Sequence, residues 1–83
     1  MYARFQNLIN QGFSIANKWY FKEFDESEFE AWIEACRDLL SDCEPEPAFP
    51  WFPNVQHIEE IVMLLSETRH KIFRRETYYM GLL

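Results

Sequence analysis

The sequence predicts an all-α fold, a three-helix up-down bundle, on three observations. Apolar residues recur every three or four positions in three separate stretches, the period of a helix that buries one face. A proline-dense segment divides the second stretch from the third, and the alternating pattern of a strand persists nowhere. At 83 residues the chain has material for one hydrophobic core, so residues 1–83 read as a single helical domain.

The first helix is expected near 2–22. Tyr2, Phe5, Ile9, Phe13, Ala16 and Tyr20 form its apolar stripe. Gly12 falls inside that stripe, where glycine costs about 1 kcal/mol against alanine. It is either a tolerated defect or the place where a neighbouring helix comes close, and the residues leave both readings open.

The second helix, near 25–43, has the clearest start. With Asp25 as N-cap, Glu28 stands at N3 of a capping box, and Phe24 and Phe29 are spaced as a hydrophobic staple. Phe29, Trp32, Ile33, Cys36, Leu39, Leu40 and Cys43 then fall within about 60° of one line at 100° per residue. On the opposite side Glu30, Glu34 and Asp38 make a carboxylate ladder with no lysine or arginine four residues on to relieve it.

Pro45, Pro47, Pro50 and Pro53, interleaved with Phe49, Trp51 and Phe52, set an extended, polyproline-like crossing. Two uses fit it. The aromatics could fold back as a lid on the open end of the bundle, or stand out as a rigid anchor that loses little entropy on docking.

The third helix is expected near 54–80, from Asn54 as N-cap, with Val55, Ile58, Ile61, Val62, Leu65, Ile72 and Phe73 as its stripe. Tyr79, Met80 and Leu83 continue that stripe. The tail is therefore expected either to be covered by a second protomer or to belong to something longer.

The formal charge of −6 is unevenly placed. Between Asp25 and Glu46 the acids face a single base, Arg37, whereas Arg69, Lys71, Arg74 and Arg75 cluster without an acid. Such separation implies attraction within the fold or between protomers. Arg69 lies within about 40° of the third stripe, so it is either paired with acids of the second helix or lays its stem over the core edge with its guanidinium in water. His70, Lys71, Arg74, Arg75 and Tyr78 form a basic strip that could follow a phosphate backbone with Tyr78 stacked on a base. Cations near a helix C-terminus also complement its dipole, and the acidic total disfavours nucleic acid.

Little in the sequence points to catalysis. Cys36 and Cys43 are about 10 Å apart along a helix, beyond the roughly 7 Å a disulfide allows, and read as two buried thiols. Glu67 and His70 have the i, i+3 spacing of a carboxylate–histidine metal pair but point away from the stripe, so no metal and no cofactor is expected. His57 with Glu60, or His70 alone, lacks an activated nucleophile. With two glycines the chain has no phosphate-binding loop. The protein is expected not to be an enzyme.

Hydrophobic residues at 48% and aromatics at 18% exclude a disordered chain, and the aromatic share exceeds what a small three-helix core consumes. No apolar run reaches the length of a membrane span, and the N-terminus lacks the basic flank and apolar centre of a secretory leader; a cytoplasmic protein is expected. The function these features point to is a protein–protein interaction or assembly module that forms a homodimer. Its contacts are expected from Phe49, Trp51, Phe52, Arg69, Lys71, Arg74, Arg75, Tyr78 and Tyr79. The alternatives are an acidic regulator that meets a basic protein through the Glu30, Glu34, Asp38 ladder, and nucleic-acid binding through the basic end of the third helix.

Overall fold

In a computed structural model that describes residues 2–79, with side chains through residue 74, the protein is an all-α three-helix bundle. Helix α1 spans Tyr2–Tyr20, α2 spans Glu26–Ser41, and α3 spans Ile58–Tyr79 after a single 3₁₀ turn at Val55–His57. The expected continuation of the apolar stripe through Met80 and Leu83 lies outside the described residues, as do the side chains of Arg75, Tyr78 and Tyr79.

Each helix boundary has a local cause. Helix α1 stops short of its expected end because Lys22 takes a left-handed conformation, φ 60°, which breaks the α-helical path. The Lys22 N–H then donates to the Trp19 carbonyl at 3.2 Å and the Glu23 N–H to the Lys18 carbonyl at 2.7 Å, the two bonds of a Schellman cap. At the start of α2 the Asp25 side chain accepts from the N–H groups of Ser27 at 2.9 Å and Glu28 at 3.4 Å. The rings of Phe24 and Phe29 stand 5.6 Å apart, which forms the staple. The Asp25 half of the expected capping box forms; the Glu28 carboxylate instead receives Lys18 Nζ at 2.7 Å, which ties α2 to α1. Asn54 accepts from Gln56 N–H at 2.9 Å and starts the 3₁₀ turn, so the regular α-helix begins later than the N-cap alone implies.

Contacts along the helices give their directions. Lys18 pairs with Glu28, Trp32 Nε1 donates to the Leu8 carbonyl at 2.8 Å, and α1 and α2 therefore run antiparallel. Tyr2 lies beside Phe73, Arg69 Nη1 donates to Gln6 Oε1, and Gly12 faces Val62, so α1 and α3 are antiparallel as well. The three-helix bundle forms, but the strict up-down order is corrected: α2 reverses α1 as expected, whereas α3 runs parallel to α2 and antiparallel to α1. A parallel pair needs a connection as long as the helix it returns along. Sixteen residues of α2 rise about 24 Å, and the twelve steps from Asp42 to Asn54 reach about 37 Å in polyproline geometry. Accordingly Pro45 and Pro47 lie near Thr68 and Ile72 at one end, and Pro53 and Val55 lie near Phe29 and Ile33 at the other.

The core is one cluster centred on Phe5, Leu39, Leu40, Ile61 and Leu65, all essentially solvent-free. All seven residues assigned to the buried face of α2 are buried. In α3 the inner positions Ile58, Ile61, Val62 and Leu65 are buried, Ile72 is half-buried and Phe73 is exposed, while Val55 of the preceding 3₁₀ turn is half-buried. The stripe of α1 is corrected: its buried residues are Phe5, Leu8, Ile9, Gly12 and Ile15, while Tyr2, Phe13 and Tyr20 are exposed. Helix α1 touches both other helices, so its buried arc is wide and is centred on Leu8, Gly12 and Ile15, where α2 and α3 converge.

Candidate interaction surfaces

The chemistry-bearing side chains do not gather at one place. Cys36 and Cys43 are free and buried, as the spacing implies. Burial pushes the Cys36 thiol up to about 12, and burial with the nearby Asp42 charge raises Cys43, so both hold their protons more tightly than a free cysteine. Glu60, Glu67 and His70 are exposed and His57 is half-buried. Among the described residues no three His, Cys, Asp or Glu side chains converge as a metal ion would require.

The proline-rich crossing divides its aromatics. Phe49 packs partly against the core, with the Arg37 guanidinium 5.3 Å from its ring centre, as a lid would. Trp51 and Phe52 do the reverse: they stand edge to face, 6.1 Å apart, and are 85% and 77% exposed.

Arg69 is half-buried, but its partners are not the acids of α2. Its guanidinium donates to Gln6 and lies 5.4 Å from the ring of Tyr2, both on α1, because α1 is the helix packed along that edge of α3. Lys71 and Arg74 are exposed on α3, and on α2 the ladder Glu30, Glu34 and Asp38 is exposed along its length.

A groove of about 490 Å³ runs between α1 and α3. Its floor includes Gly12, Ala16 and Val62, and its walls carry Phe13, Tyr20 and Met63, which are 57%, 72% and 62% exposed. The single-stripe pattern of α1 assigns Phe13 and Tyr20 to the buried face, and Met63 falls outside the stripe of α3. The signal is present in α1, where Leu8, Gly12 and Ile15 form a second apolar line beside Phe13, Ala16 and Tyr20: apolar residues wrap further round this helix than one buried arc can cover.

No protein-family model, curated protein or solved structure matches this chain. The surfaces themselves must therefore carry the functional reading. What they present is a compact helical bundle with two exposed aromatic regions and, among the described residues, no helix long and apolar enough to cross a membrane.

Proposed function

We propose that the protein is a non-enzymatic interaction module that assembles with a second copy of itself. The observation that carries this reading is the amount of large apolar side chain left in water. Tyr20, Phe21, Trp51 and Phe52 are each more than 70% exposed, and Phe13, Trp19, Met63 and Phe73 are each about half exposed or more. Grouped exposure of this kind marks contact surfaces, because each aromatic withdrawn from water contributes to association. The buried, high-pKa thiols and the dispersed histidines supply no nucleophile–base pair, which supports a binding role over a catalytic one. A cytoplasmic setting fits the two free cysteines, which stay reduced there.

The deciding measurement is the molar mass in solution by light scattering, over a micromolar concentration series at low and high salt. A mass of two chains is expected, and a single-chain mass throughout would overturn the proposal. A second reading has its own support: the exposed, uninterrupted ladder Glu30, Glu34, Asp38 suits a regulator that captures a basic protein. It requires salt-sensitive binding to a lysine-rich probe such as polylysine, lost on Glu34→Gln with Asp38→Asn.

A further inference from the structure

The groove between α1 and α3 continues into one face of α3. Glu59, Met63, Ser66, His70 and Arg74 fall within about 80° of one another on the helical wheel. All are exposed except Ser66, which is half-buried. Charge changes sign along this face, from Glu59 at its N-terminal end to Arg74 at its C-terminal end. A surface that joins two identical copies about a two-fold axis must complement itself. This face does so in one direction only. Antiparallel α3 helices crossing between Ser66 and Glu67 place Glu59 opposite Arg74 of the partner subunit, and Met63 opposite His70 of the partner subunit, in both halves. A parallel arrangement stacks Glu59 on Glu59 and Arg74 on Arg74.

Area points to the same occupant. Phe13, Tyr20, Met63 and Phe73, at 57%, 72%, 62% and 51% exposure, leave on the order of 500 Å² of apolar side chain in water. A stable dimer buries about 800 Å² per partner, and the rim of Glu59, Glu67, His70 and Arg74 can supply the remainder. Phe73 lies on the groove side of this face, so in the antiparallel register Phe73 of the partner subunit meets the groove at the level of Ile58 and Val62.

We infer that this face of α3, with the adjoining α1 groove, is the contact between two copies of the chain. They pack as antiparallel α3 helices with Glu59 and Arg74 paired across the two-fold in both halves. The inference rests on the self-assembly proposed above and names its interface.

The test is a charge exchange read by sedimentation equilibrium, with far-UV circular dichroism confirming that each variant is helical. Glu59→Arg alone, or Arg74→Glu alone, sets like charges against each other in both halves of the dimer. Each is expected to raise the dimer Kd at least tenfold. Mixed in equal amounts, the two variants regain opposite charges at both contacts, and dimer formation returns to within about threefold of wild type. Phe13→Glu, which charges the groove wall at an exposed position, is expected to weaken the dimer without rescue by mixing. A wild-type dimer that ignores all three variants but separates on Trp51→Ala overturns this interface and leaves self-assembly standing. A wild-type monomer at hundreds of micromolar overturns both.

Discussion

Replacing Gly12 by alanine would force the three helices apart. An alanine Cβ at this position would lie 2.5 Å from Val62 Cγ2 and 2.7 Å from Trp32 Cζ2. Carbon atoms in ordinary contact sit about 3.5–4.0 Å apart, so roughly 1 Å must be found on each side. Neither neighbour gives way easily. Trp32 is 3% exposed and its indole N–H is held by the Leu8 carbonyl at 2.8 Å. Val62 is β-branched within a helix, where one rotamer dominates. Overpacking of this kind costs about 1–3 kcal/mol, while alanine in a helix interior returns about 1 kcal/mol relative to glycine. With two stiff neighbours the net effect is a loss of about 1–2 kcal/mol, and each kcal/mol lowers Tm by about 4–8 °C in a domain of this size. Urea unfolding followed by far-UV circular dichroism measures it directly. Ser14→Ala, at an exposed position of the same helix, isolates propensity and should gain a few tenths of a kcal/mol. Removing Val62 Cγ2 by Val62→Ala should make Gly12→Ala less costly in that background. If Gly12→Ala raises the midpoint as Ser14→Ala does, the close approach of the helices is refuted.

Two further expectations concern stability. Lys22→Gly places at φ 60° the residue that meets no steric penalty there; it should stabilise the fold by about 0.5–1 kcal/mol, whereas Lys22→Val should destabilise it. A glycine variant with a lower midpoint would contradict the cap. The raised thiol pKa values give a pH dependence of definite sign. Unfolded Cys36 ionises from its ordinary value of 9.0, while the folded thiol holds its proton until about 12. Its contribution is therefore complete below pH 9 and falls as pH rises from 9 toward 12, by up to about 1.4 kcal/mol per unit. Cys43 adds a loss of the same sign. Urea midpoints measured in reductant between about pH 8 and pH 10 should fall for wild type and fall less for Cys36→Ala; equal slopes in the two proteins would count against a buried neutral thiol at this position.

Local chemistry determined the elements of this protein. Asp25 with the Phe24–Phe29 staple starts α2 wherever the helix is placed in space, since both devices act within a few residues. The apolar residues of α2 fit a single line, so its buried face followed from periodicity alone. Proline density likewise implied an extended crossing, whose length later proved to be what a parallel helix return requires. The interaction surfaces were only partly legible: exposure of Trp51 and Phe52 was one of two open readings, and the α1–α3 groove was hidden inside a stripe read as core.

Tertiary structure alone decided three things. It set the phase of α1, turning Leu8, Gly12 and Ile15 inward beside Phe5 and Ile9 and leaving Phe13 and Tyr20 in water, because Trp32 and Val62 close on Gly12. It turned α3 parallel to α2, and it gave Arg69 to Gln6 and Tyr2 of α1 instead of to the acids of α2. The physical reason is one of range. Caps, staples, proline constraints and single stripes are set by neighbours in sequence, whereas the phase of an ambiguous helix, the partner of a long cation and the faces left in water depend on residues brought together by packing.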